Sequence, residues 1–348
     1  MKHQSIPSLN GIRAIAVLLV FFSHVGFGHV IPGGFGVTTF FFLSGFLITT
    51  LLLNEHETSG TIALKLFFAR RFLRLVPPLA ITLLIGYTLF FVGALQGEFS
   101  STGVFCQLFY LANYYEVFAW GAAYPEGMGI YWSLAVEEHF YLVFPVLLLI
   151  CIRNYSLQTT SAIFSAICAC ILIWRGILAL EDSTSFLRTY AATDTRLDSI
   201  LFGCTLALYL KRKPERNDKE LRIADWSVLL TCATTLIITF LIQDQFFKET
   251  LRYSIQGLAL TPLFYYSIKF SKHTIFAWLN WSFFNTLGVY SYFIYLIHTI
   301  VIASLQFYYP SITTLELTIY ALILSTSYAA AFDKLLDSHL KAIRSKLR

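Results

Sequence analysis

Charge is what this sequence has least of. Only 13% of its 348 residues are Asp, Glu, Lys or Arg, and 57% are apolar; a soluble domain carries roughly 25% charge. So few charges cannot wet the surface of a soluble chain of this length, which excludes a soluble enzyme and a disordered protein. The net charge is only +5, and the 25 Lys and Arg are confined to short stretches, which excludes a nucleic-acid-binding surface. Cysteine is sparse too. Neither a CxxC nor a Cys/His zinc spacing occurs, and Cys151, Cys168, Cys170, Cys204 and Cys232 fall in or beside apolar runs, as small apolar residues do. Internal repeats and low-complexity tracts are lacking. The first apolar run continues from Arg13 past Val25 with no small-x-small site after it, which reads as a first transmembrane helix rather than a cleaved leader.

What remains is long apolar runs divided by basic clusters, the pattern of a multi-spanning membrane protein. Ten segments are long enough to span: 12–31, 35–53, 77–95, 131–152, 160–180, 197–210, 225–243, 252–270, 285–307 and 314–336. An eleventh, 101–120, is ambiguous. With the N-terminus inside and 101–120 not spanning, all but five of the 25 basic residues fall on the cytoplasmic side. Those five are Arg175, Arg188, Arg196, Lys248 and Arg252. If 101–120 spanned, every later loop would flip and the bias would vanish. The sequence therefore predicts an all-α polytopic bundle of about ten spans, one transmembrane domain over 1–348, with both termini inside. Segment 101–120 is then a re-entrant or interfacial piece on the outer face. Residues 65–76, KLFFARRFLRLV, predict an amphipathic helix on the cytoplasmic surface, either a membrane anchor or a cradle for an anion. The 211–224 stretch reads as a charged linker.

Polar groups inside hydrocarbon are expensive, so each is a candidate functional group. At about 1.5 Å per residue, His24 lies about 18 Å from the cytoplasmic end of the first helix, and Ser44 about 14 Å down the second from outside. Glu137 lies about 9 Å into the fourth from outside, and His298 about 20 Å up the ninth. Four separate segments thus deliver polar side chains to one level. Each has a plainer reading: packing for His298, carbonyl back-bonding or close helix packing at Ser44-Gly45. Adjacent Glu137, Glu138 and His139 point in different directions, and His24 and His29 are five apart, so neither set makes a metal site. Arg13 precedes His24 by eleven residues, close to three helical turns, so the two share a face. An Arg at the cytoplasmic mouth and a His deep inside suit a long ligand with an anionic end. Arg13, Arg70, Arg71 and Arg74 would hold that end, and coenzyme A has the required shape.

These residues match a pattern. The chain resembles the acyltransferase-3 family of integral membrane acyltransferases that modify cell-surface carbohydrates. SLNGIRAIAVLLVFFSH (8–24) carries the Arg-x10-His spacing as Arg13 and His24, followed by PGGFGVTTFFFLSGFLIT (32–49) and FFARRFLRLVPP (67–78). YWSLAVEEHFYLVFP (131–145), TRLDSILFG (195–203) and LGVYSYFIYLIH (287–298) resemble its later blocks. The acid-x-Pro element often found in the last helix is missing from FDKLLDSHLK (332–341), which leaves that helix the least certain part. The resemblance implies an acyl-CoA donor, acetyl-CoA favoured, a carbohydrate or glycolipid acceptor, no metal, and a place in a prokaryotic inner membrane. It implies His24 as base or acyl carrier, with Glu137 and Ser44 assisting. Arg13, Arg70, Arg71 and Arg74 are expected on CoA, and Trp132, Ser133, Arg196, Asp198, Tyr295 and His298 on the acceptor side. Many relatives carry a periplasmic hydrolase-like domain. A chain ending at Arg348 would transfer directly or hand its acyl group to a separate periplasmic transferase. Two other readings stay open: a transporter or flippase of sugar-linked substrates, and a non-catalytic subunit of a polysaccharide assembly.

Overall fold

Long apolar runs leave a backbone in lipid one local way to satisfy its polar groups, the α-helix. The computed structural model describes residues 6–119, 123–181, 186–212 and 220–346. Among these residues there is no strand, only an isolated antiparallel bridge between Gly97 and Pro125. In chain order the helices are α1 (Leu9–Phe22), α2 (Gly33–Ser59), α3 (Leu64–Phe91), α4 (Ser101–Leu108), α5 (Ala112–Phe118), α6 (Trp132–Asn154), α7 (Leu157–Ala179) and α8 (Phe186–Ala191). They continue with α9 (Thr193–Arg212), α10 (Ile223–Leu241), α11 (Gln245–Glu249), α12 (Leu251–Lys269), α13 (Thr274–Ala277), α14 (Ser282–Tyr308), α15 (Thr314–Phe332) and α16 (Ser338–Lys346). Local signals set several starts. Ser156 caps α7 by accepting from Thr159 N (3.1 Å), and Thr313 and Glu316 form a reciprocal capping box at α15.

Among the described residues, eight helices are long and apolar enough to cross a membrane: α1 with the turn after it, α2, α3, α6, α7, α10, α14 and α15. The other two expected spans, 197–210 and 252–270, are helical as α9 and α12. They miss that threshold because α9 carries Asp194, Arg196, Asp198, Lys211 and Arg212, and α12 carries Arg252, Gln256 and Lys269. Segment 101–120 is no span. It contains α4 and α5, of 8 and 7 residues, each about 12 Å long or less against a hydrocarbon core of about 30 Å. Tyr110, at a left-handed φ of 57°, turns the chain between them. The basic amphipathic stretch differs from expectation in another way. It is not a separate element but the first half of α3, which runs on through Pro77 and Pro78. The linker positions 213–219 lie outside the described residues.

The chain divides into two compact units that alternate along the sequence. One comprises Met1–Ala16, Gly34–Ile62 and Val143–Val289; the other comprises Val17–Gly33, Ala63–Leu142 and Tyr290–Arg348. In the first, Phe42, Leu43 and Phe46 of α2 pack with Leu206 of α9 and with Leu260 and Phe264 of α12. Here α2 and α9 meet backbone to backbone. A Cβ added at Gly45 would stand 1.9 Å from the Ile200 carbonyl oxygen, and one at Gly203 would stand 2.0 Å from that of Phe42. Lipid is as apolar as leucine, so such contact, rather than exclusion of water, holds membrane helices together. In the second unit, Phe21 and Val25 pack against Ile302 of α14 and Leu317 and Ala321 of α15.

Candidate active site

The regular α1 helix stops at Phe22, and Ser23–Phe27 form a π-helical turn. Gly26 sits in it at φ 122°, a conformation that strains any residue with a Cβ. A π turn re-aims the side chains it carries, and here it carries His24. His24 keeps exposed surface as a residue, and its Nδ1 lies 3.0 Å from Nε2 of His298 on α14. The two ring centroids are 5.1 Å apart. His298 is fully buried between the rings of Phe21 and Tyr295, 6.1 and 5.7 Å away. Its Nδ1 lies 2.8 Å from the Tyr295 carbonyl and 3.2 Å from that of Ile294. Two residues about 270 positions apart, both expected from the sequence, therefore form one hydrogen-bonded pair.

The stretch of α14 that carries His298 is fastened to residues 127–133. Tyr131 donates to the Leu296 carbonyl (3.0 Å), and Thr299 donates to that of Gly127 (2.6 Å). A Cβ at Gly127, itself at φ 79°, would meet the Thr299 carbonyl oxygen at 2.5 Å. The Ser133 and Tyr295 hydroxyls bond each other at 2.5 Å, and Tyr295 also donates to the Ile130 carbonyl (3.0 Å). Ser133 and Tyr295, expected to touch an acceptor, thus bind one another, and Trp132 beside them is buried.

A second polar group lies on α3 and α6. The Arg71 guanidinium stacks over the rings of Phe67 (5.7 Å) and Tyr141 (5.0 Å), with Glu138 and Glu137 in its electrostatic reach. Tyr141 donates to Glu137 Oε2 at 3.0 Å. Tyr292 of α14 donates to the Leu75 carbonyl (2.9 Å), beside the carbonyls that Pro77 and Pro78 deprive of their helical donors. Arg70 is half-buried and Arg74 exposed. Of this basic cluster, Arg71 lies between aromatic rings in the field of two carboxylates, while Arg74 is exposed. Next along the chain, in α5, burial pushes the Glu116 carboxyl up to about 8. Among the described residues, its Oε1 and the Tyr124 hydroxyl are sealed without a hydrogen-bond partner.

The other expected residues belong to the first unit. Arg13 is half-buried and donates to Asn10 Oδ1 (3.2 Å), and Ser44 is half-buried on α2. Asp198 is fully buried and held by Arg175 of α7 through both guanidinium nitrogens (2.8 and 2.7 Å). Ser254 donates to the same carboxylate (2.7 Å), as does Ser199 N (2.8 Å). Arg175 further donates to the carbonyls of Thr195 (2.5 Å) and Thr250 (3.1 Å). Arg196 is also fully buried. It lies 3.8 Å over the Tyr253 ring and donates to Thr38 Oγ1 (3.0 Å) and the Tyr190 carbonyl (3.3 Å). Sequence reasoning counted Arg175 only among the five basic residues on or near the side opposite the cytoplasm. Its place inside an apolar run, one span before Asp198, was the signal that it has a buried partner. Glu138 was not assigned either; its spacing from Arg71 carries no such signal.

A sequence profile described as an acyltransferase domain matches residues 6–333. The chain belongs to the acyltransferase-3 family. It is 30% identical over 323 residues to the peptidoglycan O-acetyltransferase OatA of Listeria monocytogenes, covering 85% of this chain and 49% of that one. It is 31% identical over 333 residues to a putative O-acetyltransferase of Staphylococcus aureus, covering 88% and 52%. A putative peptidoglycan O-acetyltransferase of Bacillus subtilis, YrhL, is 34% identical over 219 residues, covering 59% and 33%. The chain thus spans about half the length, or less, of these relatives. No solved structure matches it. With eight apolar helices and this family, it is a multi-pass integral protein of the bacterial plasma membrane.

Proposed function

We propose that this acyltransferase moves an acetyl group from acyl-CoA to a sugar hydroxyl of a cell-wall carbohydrate, with His24 as the base. The observation that carries the reading is the histidine pair: one residue with exposed surface, the other sealed and hydrogen-bonded to it. A hydroxyl needs a base to become a nucleophile. His24 takes the hydroxyl proton as the oxygen attacks the thioester carbonyl. The C–O bond forms, the C–S bond breaks, and the thiolate leaves with the proton that His24 returns. Arg74, Arg70 and Arg71 hold the phosphates of a donor that enters from the cytoplasm, and Glu137 holds the acceptor. The saturated hydrogen bonds of Asp198 favour a scaffold role for it over acceptor binding, whereas the sealed Arg196 leaves its Nε without a partner among the described residues. The names of the relatives favour peptidoglycan as the acceptor.

The test is free-thiol release from acetyl-CoA by the full chain in liposomes with peptidoglycan fragments, with mass spectrometry of the glycan. Wild type should add one acetyl mass per thiol released. Thiol release without an acetylated glycan means that the acetyl group passes to water or stays on the protein, and removes direct transfer to the sugar. No thiol release under either condition removes the reading. Arg74→Gln should raise the KM for acetyl-CoA about tenfold, the loss of one charge-assisted contact of about 1.4 kcal/mol; an unchanged KM takes Arg74 out of the donor site.

A further inference from the structure

The hydrogen bonds through the two histidines have a direction. A backbone carbonyl oxygen only accepts, so the 2.8 Å contact from His298 Nδ1 to the Tyr295 carbonyl puts the His298 proton on Nδ1. The same atom faces the Ile294 carbonyl at 3.2 Å. The groups around this fully buried ring are those two carbonyls, the rings of Phe21 and Tyr295, and His24. Among the described residues no carboxylate joins them. An imidazolium there would be a buried charge with no counter-ion, so His298 is neutral and its Nε2 bears the lone pair. Nε2 is the atom 3.0 Å from His24 Nδ1. The proton between the rings must therefore belong to His24.

We infer that His298 is a positioning residue that fixes His24 in the Nδ1-protonated tautomer and leaves Nε2 of His24 as the basic atom. The inference rests on His24 being the base of the proposed transfer. It goes further in naming which nitrogen reacts and what chooses it. In a neutral imidazole one nitrogen donates and the other accepts, and the bond made by one sets the role of the other. His298 is itself fixed by backbone carbonyls of its own helix, so this order runs from backbone to His298 to His24, whose ring also meets the Val20 carbonyl of α1. When His24 Nε2 takes the acceptor proton, its Nδ1–H stays on His298 Nε2, and no second proton has to move. The imidazolium is met by a neutral lone pair instead of a carboxylate. The pair thus does the orienting work of an acid–histidine dyad without placing a charge in the sealed position.

The experiment is nitrogen-15 NMR of the full chain in lipid nanodiscs with labelled histidine, the His24 signals being assigned by their loss in His24→Ala. Wild type should show His24 with Nδ1 protonated and Nε2 bare, and His298→Leu should show both tautomers. The same Leu variant should lower kcat for thiol release from acetyl-CoA by about 10²–10⁴-fold at a nearly unchanged KM. His298→Gln, whose amide oxygen can accept the same proton, should recover at least about tenfold of that loss. A wild-type spectrum with Nε2 protonated overturns the inference, as does a folded Gln variant no more active than a folded Leu variant. Should His298→Leu fail to fold, the wild-type spectrum and the Gln variant still decide. Full activity of His24→Ala would remove the base without altering the wild-type spectrum, so the two failures are distinguishable.

Discussion

Asp198 and His24 are both polar groups on helices of a membrane protein, and the units that hold them treat them in opposite ways. Asp198 is sealed, with Arg175, Ser254 and the Ser199 amide all donating to it. His24 is exposed, on a π turn, and joined to one side chain. Among the described residues, Arg175 and Arg196 are the largest side chains with under 2% of their surface exposed, and Arg175 donates to Asp198, Ser254 and the carbonyls of Thr195 and Thr250. In the other unit Arg74 and His24 keep open surface, and the sealed His298 spends its second nitrogen on His24. Polarity that is fully matched builds a scaffold; polarity left partly open is available for chemistry. A charge or a histidine in a hydrocarbon-spanning segment is therefore not by itself a sign of reactivity. Its degree of saturation separates the two roles.

That contrast can be broken at four points. The largest effect belongs to the open unit. His24→Ala should reduce acetyl transfer by about 10²–10⁴-fold with an unchanged unfolding temperature, because a residue with exposed surface supports little packing. A variant that unfolds as readily as it loses activity would make His24 part of a scaffold too. Arg175→Leu should do the reverse. An unpaired buried carboxylate costs about 3–5 kcal/mol, and replacing both partners with apolar residues relieves most of that cost. Denaturant unfolding of the single variant and of Arg175→Leu/Asp198→Leu reads both, and equal losses in the two would contradict the pairing. Gly203→Ala comes next. Its Cβ would strike the Phe42 carbonyl, and the forced backbone shift should cost about 1–3 kcal/mol, again seen by unfolding.

The smallest effect concerns Glu116, whose carboxyl burial holds near 8. Between about pH 4.5 and 8 an unfolded Glu gives up its proton while the folded one keeps it, so stability falls as pH rises. Glu116→Gln should flatten that fall in thermal scans between pH 5 and 8.5. An unchanged slope would assign the fall to other groups.

Much of this was legible in the residues, for identifiable reasons. Apolar run length pointed to helices because lipid leaves the backbone few options, and eight of the ten expected spans are long and apolar enough to cross a membrane; the basic bias against a span at 101–120 agrees with the two short helices there. His24 and His298 stood out because each is a titratable group in an apolar run. Their pairing did not, since nothing in the local sequence says that α1 yields to a π turn at Ser23. The break expected before Pro77 is absent because proline costs a helix only its missing N–H and a local clash, which α3 absorbs. The pattern of Asp198 suggested a place near substrate. Its buried partner Arg175 lies on another helix, and contacts between helices are not written in either one.

The alternation of the two units along the chain has a genetic consequence. The helices α1, α6 and α14 each pass from one unit into the other partway along their length. No single crossover between two homologous genes can therefore exchange one unit whole and keep the other. Exchange of one unit whole requires several crossovers, three of them inside α1, α6 and α14, so libraries built by shuffling at loop boundaries should yield few folded chimaeras.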